Sequence, residues 1–181
     1  MITLVTGGAR SGKTGYAQRL AAGSGREVVY IATAQAGDAE MAERIGRHRA
    51  QRPSAWRTLE EPLTLGAALR AHAQADRCIV VDCLTLWLSN LLHLERCDAP
   101  DWSEPGPRFA AEREALRGAL AGVQGEVILI GNEVGLGIVP LGALNRVFVD
   151  EAGRLNQEIA AVAGRVVLMV AGCPLFAKGA P

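Results

Sequence analysis

Short runs of consecutive apolar residues alternate along this chain with longer stretches whose apolar positions recur every three or four residues. Residues 2–6, 27–33, 78–82, 126–131 and 165–170 are near-continuous apolar segments rich in Val and Ile. That pattern predicts strands buried on both faces, as in a parallel sheet. Helical spacing predicts helices over about 13–22, 62–75, 84–94, 108–121 and 142–163, and one that Asp38 could cap, ending near Arg49. Leu84, Leu88, Leu91 and Leu92 mark one such face. Pro53 closes the helix before it, and residues 56–59 read as a short extended piece. Residues 95–107, with Pro100, Pro105, Gly106 and Pro107, and residues 132–141 read as loops. Alternation of this kind predicts an α/β fold, a mainly parallel sheet with helices on both faces, built as one nucleotide-binding domain over residues 1–181.

The first strand runs directly into Gly7-Gly8-Ala9-Arg10-Ser11-Gly12-Lys13-Thr14, and a helical pattern starts there, with Ala17 and Leu20 on one face. Strand, Gly-x-x-x-x-Gly-Lys-Thr and helix are the order a phosphate-binding P-loop requires. Its backbone N–H groups and the helix N-terminus attract phosphate oxygens. Lys13 supplies a point charge to the β- and γ-phosphates, and Thr14 a hydroxyl ligand for Mg²⁺. A nucleoside triphosphate is the expected ligand.

Composition narrows the possibilities. Nineteen basic residues balance nineteen acidic ones, so no overall field recruits nucleic acid or anionic lipid. Cys78, Cys83, Cys97 and Cys173 lack Cys-x-x-Cys spacing and read as reduced thiols of a cytoplasmic protein. The start has no basic region before an apolar one, and Asp82 and polar side chains interrupt the apolar stretch at 78–92. Neither a signal peptide nor an integral membrane span is expected.

Ligands on parallel sheets lie at the carboxyl ends of the strands. One strand ends in Asp82, placed to order Mg²⁺ directly or through water; capping the next helix is the other role open to it. Thr33, Ala34 and Gln35 end another strand with small polar groups that suit a nucleotide pocket. A third ends in Asn132-Glu133-Val134-Gly135-Leu136-Gly137, either a substrate-touching loop or an ordinary turn, and not the guanine-reading signature of GTPases. Arg44, Arg47, His48, Arg49 and Arg52 crowd nine residues of a chain without net charge, with Arg44, His48 and Arg52 on one helical face. Such a face is either simply solvated or a place where guanidinium groups keep a histidine neutral beside a polyphosphate.

Taken together, Gly7 to Thr14, Tyr30-Ile-Ala-Thr33, Arg44-Ile-x-x-His48, Arg52-Pro-x-x-Trp-x-Thr-x-Glu60, Val81-Asp-Cys-Leu-Thr85, Asn90-Leu-Leu92, Asn132-Glu-Val-Gly-x-Gly-Ile-Val-Pro140 and Asp150-x-x-Gly-Arg-x-Asn-Gln157 occur in order along nearly the whole chain. This series resembles the bifunctional adenosylcobinamide kinase / adenosylcobinamide-phosphate guanylyltransferase family. The resemblance implies a RecA-like P-loop fold and two reactions: phosphorylation of adenosylcobinamide by ATP or GTP, then transfer of GMP from GTP to adenosylcobinamide phosphate. It implies that His48 carries the GMP, with Lys13 catalytic beside it. It places nucleotide contacts on Gly7, Gly8, Ala9, Arg10, Ser11, Gly12, Lys13, Thr14, Thr33, Ala34, Arg49, Ala50, Gln51, Arg52, Glu60 and Asp82, and Mg²⁺ on Thr14 and Asp82. A trimer or larger ring is the implied assembly. Arg47 departs from the pattern, standing where some members have a second histidine. A plain small-molecule P-loop kinase and a RecA-like NTP-driven switch are the rival readings.

Overall fold

A computed structural model describes residues 1–37, 39–50, 52–95 and 105–180, leaving aside the side chains of Met41, Arg44 and His48. Asp38, Gln51 and Cys97, and most of the loop expected at 95–107, lie outside the described residues. In chain order the elements are β1 (Ile2–Gly7), α1 (Lys13–Gly23), β2 (Glu27–Ala32), α2 (Ala39–Ala50), β3 (Arg57–Glu60), α3 (Leu65–His72), β4 (Arg77–Asp82), α4 (Leu84–Glu95), α5 (Pro107–Ala121), β5 (Glu126–Ile130), α6 (Ala143–Val162), β6 (Arg165–Val170) and β7 (Cys173–Lys178).

The strands form one sheet in the order β3-β2-β4-β5-β1-β6-β7. Every pairing is parallel except that of β6 with β7. Continuous apolar strands have this outcome because neither sheet face meets water. On one face Leu4, Ile31, Ile79, Val81 and Leu129 pack under residues of α3, α4, α5 and α6, including Leu69, Trp87, Leu116 and Leu155. On the other, Val5, Tyr30, Val80 and Ile130 pack against Ala17 and Ala21 of α1, with Trp56 and Phe176 at the margins. Helices therefore cover both faces, but unequally. Trp87 belongs to the core: it is fully buried, and its indole N–H donates to Leu63 O at 2.7 Å.

Three details differ from the sequence pattern. β7 was not expected, because Pro174 and Lys178 interrupt any apolar period and most of the strand is exposed. As an antiparallel edge strand it tolerates a proline. The helix expected over 62–75 is shorter, because Glu61 Oε1 accepts the N–H groups of Leu63 and Thr64 (3.0 and 2.7 Å) and shapes a turn before α3. Trp56 precedes its strand and stacks on Tyr30, ring centroids 6.3 Å apart. Among the described residues no helix is long and apolar enough to cross a membrane.

β5 lies between β1, which feeds the Gly-rich loop, and β4, which ends in Asp82. The chain leaving β5 joins both. Asn132 N donates to Thr85 Oγ1 (2.6 Å) at the start of α4, and Glu133 N donates to Gly7 O (2.9 Å). The phosphate loop and the carboxylate are thus held in register by backbone bonds rather than by side chains alone.

Candidate active site

The loop from Gly7 to Gly12 has the geometry its sequence implies. Gly7 and Gly12 take φ of 154° and 93°, values that side-chain-bearing residues rarely adopt. Space is equally restrictive at Gly7: a Cβ there would fall 2.6 Å from Met169 O and from Ser11 Oγ. At Gly12 it would come within 3.3 Å of Gly172 Cα. That approach reflects a brace, since the β6–β7 turn lies against the loop and Gly172 N donates to Ser11 O at 3.0 Å. Lys13 is 9% exposed, with its ammonium donating to Gly8 O at 3.0 Å across the loop. Gly8, Ala9 and Arg10 are exposed, whereas Ser11 is buried.

Beside this loop opens a cavity of about 850 Å³, within the range of pockets that hold a cofactor-sized ligand. Lys13, Thr14, Asp82, Cys83 and Asn132 line the side at the strand ends. Ile45, Arg49, Arg52 and Glu60 line the other, joined by the chain 34–37 leaving β2, Pro62 and Leu86. Lys13, Thr14, Ala34, Arg49, Arg52, Glu60 and Asp82, all singled out from sequence, therefore face one space. Arg49 and Glu60 form an exposed ion pair at 3.6 Å. Thr33 does not line the cavity. It is fully buried, and its hydroxyl bridges Cys83, donating to the carbonyl (2.7 Å) and accepting from the N–H (2.8 Å). Ala50 is exposed on α2 but not among the lining groups, and His48 occupies the α2 turn between Arg47 and Arg49.

Asp82 is held from two sides. Thr14 Oγ1 lies 3.5 Å from its Oδ2, and the Tyr30 hydroxyl donates to the same oxygen. Burial, then the charge and hydrogen bond of Asp82, push the Tyr30 phenol well above the usual tyrosine range, against a smaller opposing pull from Arg52. It stays a neutral donor. Burial, with Asp82 next door, likewise pushes the Cys83 thiol up to about 11, so this cavity-lining sulfur is no nucleophile at neutral pH. The structural part played by Tyr30 was not legible from its apolar strand, although a lone tyrosine among Val and Ile two residues short of the strand end was a signal.

A hydroxyl and a carboxylate are the hard oxygen donors Mg²⁺ prefers, and adjacent ligands around that ion sit about 2.9 Å apart. Thr14 Oγ1 lies 3.5 Å from Asp82 Oδ2, so the hydroxyl and the carboxylate stand side by side at the strand ends. Among the described residues no cluster of three or more His, Cys, Asp or Glu is poised for a metal. The chemistry of this donor set therefore fits a cation that takes its remaining ligands from phosphate and water.

A family model described as cobinamide kinase / cobinamide phosphate guanyltransferase matches residues 3–176. The chain belongs to that family. Relatives include the bifunctional adenosylcobalamin biosynthesis protein CobP of Pseudomonas aeruginosa, 58% identical over 181 residues, covering 100% of this chain and 99% of that protein. The bifunctional adenosylcobalamin biosynthesis protein CobU of Escherichia coli is 42% identical over 176 residues, covering 95% and 97%. Among solved structures, a type III secretion system ATPase superposes with a TM-score of 0.54 at 12% identity, covering 92% of this chain and 50% of that one. The RadB recombinase superposes with a TM-score of 0.51 at 17% identity, covering 92% and 73%. At those identities the likeness concerns fold, and it places this cobinamide kinase / guanylyltransferase family member on a RecA-like P-loop scaffold. The kinase and guanylyltransferase activities, and the nucleotide and cobinamide substrates, follow from the family.

Proposed function

We propose that this one cavity serves both reactions, and that the second runs through a GMP-bearing His48. In the kinase step the terminal hydroxyl oxygen of adenosylcobinamide attacks the γ-phosphorus of ATP or GTP, and the bond to the β-phosphate oxygen breaks. In the transferase step an imidazole nitrogen of His48 attacks the α-phosphorus of GTP and pyrophosphate leaves. A phosphate oxygen of adenosylcobinamide phosphate then displaces the imidazole from the same phosphorus, giving adenosylcobinamide-GDP. Each is one in-line displacement, which is the advantage of a covalent intermediate.

Roles follow from position. Backbone N–H groups from Gly8 to Thr14 cradle phosphates, and Lys13 neutralises charge that builds on the departing group. Thr14 and Asp82 would hold Mg²⁺, which when bound lends further positive charge to the phosphate oxygens. Arg49 and Arg52, with Ala50 and Gln51 between them, bring the α2 arm against the nucleotide, and Glu60 restrains Arg49. Thr33 supports the site indirectly by fixing Cys83, which lines the cavity. The observation carrying this reading is that Lys13, Thr14 and Asp82 share one cavity with Arg49 and Arg52, the arm that bears His48.

Incubation with GTP labelled at the α-phosphate tests it. Acid-labile, base-stable label should remain on the protein, because a protonated imidazole leaves readily from phosphorus. Label at the γ-phosphate should be lost. His48→Asn should abolish α-label and guanylyl transfer yet keep kinase activity, while Lys13→Ala should lower both rates about a hundred- to a thousand-fold. Retention of α-label by folded His48→Asn would refute the histidine route, and absence of label on the wild type would leave guanylyl transfer without a covalent histidine.

We also read the chain as a cytoplasmic homo-oligomer, a trimer or larger ring. Leu136, Ile138 and Leu141 are 86, 99 and 98% exposed on one loop, an apolar cluster that soluble proteins usually cover. Sedimentation at monomer mass across micromolar concentrations would contradict it.

A further inference from the structure

Tyr30 is 0% exposed, yet its hydroxyl donates to Asp82, which lines the active-site cavity. In the β2–β4 register Tyr30 stands opposite Val80, and Asp82 is two residues further along β4. A phenol leaning toward the carboxyl ends of the strands spans that diagonal, whereas aliphatic side chains on the same face stop short of it. The ring has little freedom to do otherwise. Trp56 stacks on it with an interplanar angle of 27°, and the Arg52 guanidinium lies 3.9 Å from its centroid. Arg52 is the arginine that bounds the cavity on the arm side. One buried side chain therefore touches the arm and the carboxylate at once.

We infer that Tyr30 is a positioning residue for the cation site. Its hydroxyl holds Asp82 Oδ2, so that the carboxylate stays in one rotamer with Oδ1 left for the cation or its water, and its ring ties that rotamer to Arg52. A carboxylate at a strand end otherwise rotates freely, and groups behind a metal ligand commonly change metal affinity ten-fold or more when removed. This inference rests on the reading of Asp82 as a cation ligand, and the experiment separates the two.

The test is Tyr30→Phe, which keeps the ring, the Trp56 stack and the contact of the Arg52 guanidinium with the ring, and deletes the hydroxyl with its bonds to Asp82 and Arg52. Mn²⁺ binding to protein loaded with a non-hydrolysable GTP analogue is followed by the electron paramagnetic resonance of free Mn²⁺. Affinity should fall about ten-fold, while affinity for the analogue without metal and the melting temperature change little. Both reactions should need proportionately more Mg²⁺ and recover at saturating Mg²⁺. Asp82→Asn is measured alongside. If it weakens Mn²⁺ binding and Tyr30→Phe does not, the positioning role is overturned alone. If Asp82→Asn leaves Mn²⁺ binding intact, the cation reading of Asp82 falls and this inference with it. An equal loss of metal-free nucleotide affinity in Tyr30→Phe would show general damage to the pocket and overturn the inference too.

Discussion

The two walls of the cavity are built by opposite means. On the P-loop wall, Lys13 is buried, Gly7 and Gly12 sit in conformations that side-chain-bearing residues rarely adopt, and backbone hydrogen bonds join Gly7 to Glu133 and Ser11 to Gly172. On the arm, the described side chains of α2 are exposed apart from half-buried Ile45, and its contacts include the solvent-exposed Arg47–Glu43 and Arg49–Glu60 pairs. Exposed pairs contribute little to stability. The first wall is therefore fixed by folding itself, and the second is held to the body by few buried contacts. A site that takes a kinase acceptor and a guanylyl acceptor in turn, as we propose for this cavity, has use for one wall of each kind.

The sharpest way to break this contrast is at Gly7. Gly7→Ala forces a Cβ to within 2.6 Å of the Met169 carbonyl oxygen, and the rigid wall cannot yield without unpairing strands. Stability should fall about 2–3 kcal/mol, lowering the melting temperature by about 5–10 °C, with nucleotide binding lost as well. Calorimetry showing an unchanged transition would mean that this wall is softer than described.

Arg49→Ala probes the other wall. Its melting temperature should match the wild type within about 1 °C, while affinity for GTP falls about ten-fold through loss of a charge-assisted phosphate contact. Isothermal titration and a thermal melt on the same sample decide it. A variant that melts early with unchanged affinity would make α2 part of the scaffold.

The smallest effect is expected at Glu61, where the arm rejoins the body. Burial raises its carboxyl, but the N–H groups of Leu63 and Thr64 outweigh that and hold it below the ordinary value of 4.5. A depressed carboxylate stabilises the fold above pH 4.5, and that contribution disappears as pH falls through the lower folded value. Glu61→Gln should therefore cost about 0.5–1 kcal/mol at pH 7, toward the low end because water screens the group. The difference from wild type should shrink in urea melts near pH 3.

How far the sequence revealed these walls follows the same division. Consecutive Val and Ile left no choice but buried parallel strands, so β1, β2, β4, β5 and β6 and the Gly-Lys-Thr loop were legible. Arg49, Arg52, Glu60 and Asp82 were marked by motif, and the structure brings them around one cavity. Strand order was not legible, because the insertion of β5 between β1 and β4 depends on non-local pairing. β7 was hidden because an exposed edge carries no apolar period. The part played by Tyr30 was hidden, and Thr33 was expected to touch nucleotide rather than Cys83, for another reason: their hydroxyls act across strands, on Asp82 and Cys83, and sequence spacing holds no record of a neighbour fifty residues away.

The position of β1 in the sheet carries a consequence for synthesis. Its hydrogen-bonding neighbours are β5 and β6, residues 126–130 and 165–170, and the turn that braces the phosphate loop lies at Gly172. At translation rates of about 5–20 residues per second, this nucleotide-binding segment spends roughly 8–30 seconds without its strand partners. For that interval Ile2-Thr-Leu-Val-Thr6 is an unpaired β-prone segment with neither charge nor proline, the kind that chaperones shield and that aggregates when they do not. Recombinant yield should respond to growth temperature and chaperone supply more than the finished enzyme's stability would suggest. The segment that marks the chain as an enzyme is also the part of it most at risk before it becomes one.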